Sequence, residues 1–185
     1  MGTVAIVDYG VGNLKSVANA LSYLGCSSCI TADPAELERA DAIILPGVGA
    51  FPDAADRLRS GGLDQHVLAQ GQKKPVLGIC LGMQLLLEQG REVRPCPGLG
   101  VIRGTVDRIP TQSKLPHIGW NSLRFFHHSP LFRGLDEGAY VYFVHSFSAQ
   151  DTDPAQVIAV TDYGPAVTAA VASGNFYGTQ FHPEK

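Results

Sequence analysis

A cysteine between two glycines is the feature of this sequence that most directly suggests chemistry. Cys80 is the centre of Gly78-Ile-Cys-Leu-Gly82, which follows a short apolar segment and precedes residues 83–89. The pattern predicts a strand, a tight turn and a helix, because the flanking glycines leave room for a strained backbone. The helix N-terminus would favour the thiolate, which is the nucleophilic form of cysteine. We therefore predict that Cys80 is a nucleophile, with a buried structural cysteine as the alternative.

The end of the chain carries the groups that a thiolate nucleophile needs. His182-Pro-Glu184 follows residues 176–181, which have the composition of a strand. Acyl transfer by a thiolate requires a base to manage its proton, and the base requires an acceptor to fix its tautomer. His182 and Glu184 supply these two groups, and the proline between them restricts the loop. His145, in another predicted strand-end segment, is the alternative base.

The composition favours a single enzyme-sized domain and argues against several other classes of protein. The chain has 185 residues, 17% of them charged, and a net charge of −3. This length can bury a sizeable core, and we expect one domain over residues 1–185. The charge gives no basic footprint for nucleic acid. No apolar run reaches membrane-spanning length, and residues 1–5 pass into a predicted strand without a basic leader, so we expect a soluble, cytoplasmic protein.

Two further patterns resemble ligand sites but lack the residues that would complete them. Cys26-Ser-Ser-Cys29 has the spacing of a zinc knuckle, but neither Cys80 nor Cys96 offers a second ligand pair. Gly10-Val-Gly12 resembles the start of a dinucleotide-binding fingerprint, but Lys15 stands where the third glycine would be. We therefore expect reduced thiols, no metal and no cofactor.

The order of predicted elements indicates an α/β fold. Apolar strands without strict alternation, each followed by a helix, predict a mostly parallel, flavodoxin-like central sheet with helices on both faces. The C-terminal half adds antiparallel strands and a hairpin turn at residues 173–175. The predicted strands are residues 4–7, 29–31, 41–45, 74–77, 101–108, 121–126, 140–144, 157–163, 166–172 and 176–181, and the predicted helices are residues 14–24, 34–39 and 83–89 with one or two more between 51 and 70.

One glycine-rich loop falls where a parallel sheet builds its site. Pro46-Gly-Val-Gly49 follows the third predicted strand, and ligands of such sheets bind beyond the carboxyl ends of the strands. Its glycines can expose backbone N–H groups to an oxyanion, together with the amide of Leu81, the residue after the nucleophile. An ordinary Pro-Gly turn is the alternative.

These motifs together resemble the class I (triad) glutamine amidotransferases over essentially the whole chain. Pro46-Gly-Val-Gly-Ala-Phe51, Gly78-Ile-Cys-Leu-Gly-Met-Gln84 and Thr179-Gln-Phe-His-Pro-Glu-Lys185 look like the oxyanion strand, the nucleophile elbow and the His-Pro-Glu segment of that family. The resemblance implies hydrolysis of L-glutamine to glutamate and ammonia through a thioester. It implies Cys80 as nucleophile, His182 as general acid and base, Glu184 as its orienting carboxylate, Val48 and Leu81 as oxyanion donors, and Gly49, Gln84, Ser146 and Phe147 as glutamine-binding residues.

Other segments resemble one branch of that family. Asp8-Tyr-Gly-Val-Gly-Asn13, Leu115-Pro-His-Ile-Gly-Trp-Asn121 and Tyr142-Phe-Val-His-Ser-Phe147 are similar to members that supply ammonia to a (β/α)8-barrel cyclase in histidine biosynthesis. This similarity implies a heterodimer with such a cyclase. The partner-facing positions that it implies are Asn13, Trp120, Asn121, Tyr142 and Lys185.

Three other functions compete with this interpretation. The first is the glutaminase of another class I amidotransferase, such as the one serving pyridoxal phosphate synthesis, against which Pro116-His-Ile-Gly-Trp-Asn121 argues. The others are a PfpI-like protein, which the late His182-Pro-Glu184 disfavours, and a non-catalytic scaffold subunit. Family members continue beyond His-Pro-Glu-Lys with a helix, so we expect that helix to be missing from the sequence given.

Overall fold

A mixed eight-stranded sheet forms the centre of the structure, a computed structural model that describes residues 2–185. Met1, which belongs to the segment predicted to lack a basic leader, lies outside the described residues. The helices and strands in chain order are β1 (Thr3–Val7), α1 (Leu14–Tyr23), β2 (Ser27–Thr31), α2 (Pro34–Arg39), β3 (Ala42–Leu45), α3 (Phe51–Ser60), α4 (Leu63–Gly71), β4 (Val76–Ile79), α5 (Leu81–Leu85), β5 (Leu87–Gly90), β6 (Cys96–Pro97), β7 (Ile102–Arg108), β8 (His117–Ser122), β9 (Arg124–Phe125), β10 (Tyr140–His145), β11 (Phe147–Gln150), β12 (Val157–Asp162), β13 (Ala166–Ser173) and β14 (Phe176–Thr179).

The strand order explains how distant parts of the sequence meet. The large sheet runs β2-β1-β3-β4-β14-β13-β12-β9. Its first five strands are parallel and the last three antiparallel, which confirms the predicted mostly parallel sheet. The last strand of the chain, β14, lies beside β4 with Thr179 opposite Ile79. The residues that follow these two strands therefore leave the sheet at the same edge.

Helices cover both faces of the parallel part of the sheet. Alternate residues of a strand point to opposite faces, and on β1 Ala5 and Val7 join the core cluster that contains residues of α2 to α5. Ile6, between them, joins a second cluster with Val17 and Leu14 of α1. The strands are thus apolar on both faces, which is why their sequences do not alternate.

A separate two-stranded ribbon and a four-stranded sheet complete the fold. The ribbon consists of β8 and β10, and the smaller sheet has the order β11-β7-β5-β6. The hairpin predicted at residues 173–175 joins β13 to β14, with Gly174 at a φ of 57°. Asp33 caps α2 as its spacing before Pro34 suggests, accepting a hydrogen bond from the amide of Ala35.

The prediction of a helix over residues 83–89 is wrong beyond Leu85. The helix α5 has five residues, and the chain continues as the strand β5, which pairs with β6 and β7. Leu85, Leu86 and Leu87 are all buried, so no polar face marks the end of the helix. Pairing with strands further along the chain decides the conformation, and the sequence pattern around residue 87 carries no signal for it.

Two boundaries in the C-terminal half also differ from expectation. The strand predicted over residues 121–126 is divided between β8, which starts at His117, and β9, which belongs to the large sheet, and β11 is a strand that the sequence did not predict. Both segments carry polar residues, which mask the apolar pattern of a strand. In the structure the His117 ring bonds to that of His145 across the ribbon, and the Gln150 side chain donates to the Arg108 carbonyl on β7.

Candidate active site

The elbow between β4 and α5 holds Cys80 in a strained conformation. Cys80 has a φ of 55° and a ψ of −109°, which a non-glycine residue rarely adopts. Strain of this kind costs on the order of 1–3 kcal/mol and persists where the surroundings fix it. Here the Cys80 amide donates to the Thr179 carbonyl at 2.7 Å, and the Gln84 amide donates to the Cys80 carbonyl at 3.1 Å. The predicted elbow is present, and its strain lies on the cysteine itself.

The two glycines of the elbow allow close packing rather than an unusual φ. Neither Gly78 nor Gly82 has a positive φ. A Cβ at Gly82 would lie 1.8 Å from the carbonyl oxygen of Leu45, at the end of β3. A Cβ at Gly78 would lie 2.6 Å from the carbonyl oxygen of Gly82. The glycines therefore bring the backbone of the elbow against its neighbouring strand.

A buried histidine–carboxylate pair follows β14. The Nδ1 of His182 donates to Oε1 of Glu184 at 2.8 Å, with the two side chains 8% and 4% exposed. This bond fixes the tautomer. Nε2 of His182 is buried and has no hydrogen-bond partner among residues 2–185. That nitrogen is available for a proton transfer.

The charges of this pair are coupled to Cys80. Burial lowers the pKa of His182, but Cys80 and Glu184 act in the opposite direction and raise that pKa to about 10. Burial raises the pKa of Glu184, but His182 and Lys185 outweigh it and leave the Glu184 pKa below its ordinary value. At neutral pH the site therefore holds an imidazolium bonded to a carboxylate.

A cavity of about 430 Å³ connects these groups. Cys80 and His182 both line it, so the structure brings together residues that are a hundred positions apart in the sequence. The cavity is also lined by the other predicted oxyanion and glutamine-binding residues: Val48, Gly49, Leu81, Gln84, Ser146 and Phe147. All the residues predicted for catalysis or for binding glutamine, except the supporting Glu184, thus face one space.

The glycine-rich loop after β3 forms one wall of this cavity. A Cβ at Gly47 would lie 2.8 Å from the amide nitrogen of Gly82 and 2.9 Å from the Tyr9 hydroxyl oxygen, so the loop packs directly on the elbow. The Tyr9 hydroxyl donates to the Pro46 carbonyl at 2.6 Å, and burial followed by the effect of Cys80 raises the Tyr9 pKa, which keeps the donor protonated. Val48 is 45% exposed. That its amide and the amide of Leu81 bind an oxyanion stays a prediction.

The structure excludes His145 as a free base, although it lines the cavity. Its Nδ1 donates to the Phe147 carbonyl at 2.8 Å, and its Nε2 lies 3.1 Å from Nδ1 of His117. Nε2 of His117 in turn lies 3.3 Å from the side-chain nitrogen of Asn121. Burial lowers the pKa of His117, and burial above all lowers the pKa of His145 to about 4. Both rings are neutral at pH 7, and neither nitrogen of His145 is available.

Two residues of the site were missed by sequence reasoning. Gln180 is fully buried, and its Nε2 donates to the Cys80 sulfur at 3.7 Å. A polar residue in the apolar segment before His182 is the available signal, although β14 ends at Thr179 and Gln180 lies just beyond it. Glu92 lines the cavity and accepts a hydrogen bond from the Phe51 amide at 2.8 Å. It comes from the connection between β5 and β6, where no pattern marks it.

The predicted partner-facing residues are exposed or half-buried. Trp120 is 61% exposed on the ribbon and packs edge-on against the ring of Tyr142. The Tyr142 carbonyl accepts a hydrogen bond from the His182 amide at 2.9 Å, so the ribbon is bonded to the candidate active site. The Asn121 side chain is half-buried and donates to the Asp162 carbonyl at 2.9 Å. Both remaining positions, Asn13 and Lys185, are exposed.

The other cysteines show no ligand arrangement. Cys26, Cys29 and Cys96 are free thiols, like Cys80. Within residues 2–185 no three His, Cys, Asp or Glu side chains are grouped to hold a metal ion. In the same residues no helix has both the length and the apolar character required to cross a bilayer.

Comparisons with known proteins agree with this geometry. The family model "Glutamine amidotransferase class-I" matches residues 5–185. The chain is 48% identical to the imidazole glycerol phosphate synthase subunit HisH of Bacillus cereus and 46% identical to that of Bacillus anthracis, in each case over 98% of this chain and 87% of the relative.

Solved structures show the same fold. A glutamine amidotransferase crystal structure gives a TM-score of 0.78 at 22% identity, covering 99% of this chain and 91% of the other. The structure of PurLQS from Thermotoga maritima also gives a TM-score of 0.78, at 21% identity, covering 100% of this chain and 89% of the other.

Proposed function

The chain belongs to the class I glutamine amidotransferase family, and we propose from this premise that it is the glutaminase subunit of an imidazole glycerol phosphate synthase. The observation that carries the proposal is the convergence of Cys80 and the buried His182–Glu184 pair on one cavity. The identity of 46–48% to HisH proteins over nearly the whole chain favours this function over the glutaminase of another amidotransferase.

The proposed reaction has two steps, formation of a thioester on Cys80 and hydrolysis of that thioester, and His182 transfers a proton in each. The Cys80 thiolate attacks the side-chain carbonyl carbon of L-glutamine, and the proton on Nε2 of His182 passes to the leaving nitrogen as the C–N bond breaks. This releases ammonia and leaves a glutamyl thioester and a neutral imidazole. His182 then takes a proton from water, which attacks the thioester and releases glutamate. Glu184 holds the ring in one tautomer and stabilises its charged form.

The cavity walls supply the remaining functions in this proposal. The amides of Val48 and Leu81 stabilise the tetrahedral oxyanion, a contribution worth roughly 10² to 10³ in turnover for one donor. Gly49, Gln84, Ser146 and Phe147 hold the substrate. Glu92 adds a negative charge to the cavity wall, which complements the α-ammonium group of glutamine.

We further propose that the ammonia is used by a HisF-like (β/α)8-barrel cyclase in a cytoplasmic heterodimer. The ribbon of β8 and β10 supports this proposal, because it exposes apolar side chains next to the cavity. Its exposed large apolar residues are Ile118, Trp120, Tyr140 and Val144. Exposed apolar patches of this kind mark surfaces that bind other proteins.

The experiment compares two nitrogen sources in the complex. Cys80→Ala should abolish glutamate release and glutamine-dependent synthesis, while synthesis from ammonium salts continues, because the cyclase needs ammonia but not the thiol. Adding the cyclase and its nucleotide ligand should raise glutamate release by the unsubstituted chain. Cys96→Ala is the matched control, since Cys96 is also buried but lies outside the cavity.

Loss of both syntheses in Cys80→Ala would mean that Cys80 is a structural residue. Glutamate release that persists in Cys80→Ala would contradict its role as nucleophile. No glutamate release from the unsubstituted complex would support a scaffold subunit instead.

A further inference from the structure

Gln180 places a fully buried carboxamide behind the sulfur of Cys80. Its side chain is 0% exposed and, unlike that of Gln84, does not line the cavity. The Nε2 of Gln180 lies 3.7 Å from the Cys80 sulfur, within the range of an N–H···S hydrogen bond. The reaction proposed above assigns no role to this group.

A glutamine is a costly choice for packing alone at this position. Burying an amide without partners costs about 1–3 kcal/mol on scales from protein mutants, whereas an apolar side chain of similar size would be stabilised by burial. The backbone of Gln180 is already held by its own hydrogen bond to the Ala169 carbonyl at 2.8 Å. The carboxamide is therefore not needed to keep the strand end in place.

The hydrogen bonds around Gln180 determine which way its amide points. The Gln84 side-chain nitrogen lies 3.1 Å from the Phe147 carbonyl, which can only accept. The same nitrogen lies 3.0 Å from the Gln180 side-chain oxygen. Because Gln84 must donate to both groups, Gln180 must present its oxygen to Gln84 and its N–H group to the sulfur of Cys80.

We propose that Gln180 is a positioning residue for the glutaminase reaction. Its N–H group holds the sulfur of Cys80 in place and stabilises the negative charge of the thiolate. Its oxygen ties that sulfur, through Gln84, to the Phe147 carbonyl in the wall proposed to bind glutamine. The nucleophile and the substrate wall are thereby held in one hydrogen-bonded chain. The inference rests on the proposed role of Cys80 as nucleophile.

Gln180→Met tests this role, because methionine has a similar length and removes the donor. In the complex with the cyclase we expect kcat for glutamine to fall by about 10-fold to 100-fold, the range for a lost hydrogen bond to a charged group. We expect a smaller change in KM. The rate at which iodoacetamide alkylates Cys80, followed by mass spectrometry of its peptide, should rise at a higher pH than in the unsubstituted chain.

Gln70→Met is the matched control. Gln70 is another buried glutamine, on α4, and it lies outside the cavity. The same chemical change there should leave kcat and the pH profile of Cys80 alkylation unchanged, whatever it does to Tm.

An unchanged kcat and an unchanged alkylation profile in Gln180→Met would overturn the proposal, even if Tm falls. If Gln180→Met does not fold, Gln180→Asn decides. Asparagine keeps the amide but is one methylene shorter, so the same losses are expected, and unaltered profiles would again overturn the role. Failure of the glutaminase assignment is distinguishable, because the unsubstituted complex would then release no glutamate.

Discussion

At the scale of single residues, the candidate active site is defined by the strained backbone of Cys80 and by the ring nitrogens of His182. The backbone strain of the elbow falls on Cys80, and the flanking glycines remove steric conflict around it. The only buried histidine nitrogen without a partner, among those of residues 2–185, belongs to His182. The cavity is thus lined by a cysteine with a strained backbone and by a histidine with one unpartnered ring nitrogen, the two groups to which we assign the nucleophile and the proton donor.

The coupling between Cys80 and His182 can be measured by NMR titration. Cys80→Ala should lower the His182 pKa from its raised value of about 10, because one of the two groups that raise it is removed. Glu184→Gln should shift the pKa in the same direction. Cys96→Ala should leave it unchanged. An identical His182 pKa in the unsubstituted chain and in Cys80→Ala would contradict a coupled pair.

The same pKa values determine how the pair affects stability. The His182 pKa is raised above the ordinary 6.5, so its contribution is complete below that pH and is lost as pH rises through about 10. The Glu184 pKa is lowered, so its contribution is present above the ordinary 4.5 and is lost as pH falls. The pair therefore stabilises the fold most strongly in weakly acidic solution.

At the scale of elements, three strand ends build the site. β3 leads into the glycine-rich loop, β4 into the elbow and β14 into the His182–Glu184 segment. β4 lies between the other two in the sheet, so Cys80, which follows β4, is the middle one of the three segments. The ribbon also lines the cavity, and the Tyr142 carbonyl of β10 accepts a hydrogen bond from the His182 amide.

Gly82→Ala should disrupt the packing of the elbow on β3. The added Cβ would lie 1.8 Å from a backbone oxygen, so the elbow must move, and overpacking of this kind typically costs about 1–3 kcal/mol or more. We expect a lower free energy of unfolding in urea and a large loss of glutamate release. Gly61→Ala, at the end of α3, is the control, because its Cβ would meet nothing closer than 3.6 Å. Equal stability of the two variants would refute this role of Gly82.

At the scale of the whole molecule, the ribbon is the surface to which we propose that the cyclase binds. It carries exposed apolar residues, and Val144, one of them, lines the cavity together with its neighbour His145. A protein bound there would lie against the site that releases ammonia.

Trp120→Ala should weaken binding of the cyclase. Large aromatic residues in the centre of an interface commonly cost at least 2 kcal/mol when truncated, which corresponds to about 30-fold in Kd. Isothermal titration calorimetry of the full chain with the cyclase measures this change. Tyr23→Ala is the control, since Tyr23 is 91% exposed but lies on α1, outside the ribbon. The same Kd for Trp120→Ala and the unsubstituted chain would place the interface elsewhere.

The class of fold and the residues to which we assign the chemistry could both be predicted from the sequence. Two short segments carry these residues, Gly78 to Gly82 and His182 to Glu184. The geometry of each depends on residues next to it in the sequence, so their spacing predicted the elbow and the histidine–carboxylate pair. The apolar strands of the N-terminal half were predictable for the same reason, since burial on both faces leaves its pattern in each strand.

The contacts that hold the site residues in place could be seen only in the tertiary structure. β5 is a strand because β6 and β7 pair with it, although its sequence continues a helical run of leucines. Gln180 is hydrogen-bonded to Cys80, 100 residues away in the sequence. His117 is hydrogen-bonded to Nε2 of His145, 28 residues away. Such contacts depend on which strands become neighbours, and a single sequence holds no local pattern that records strand order.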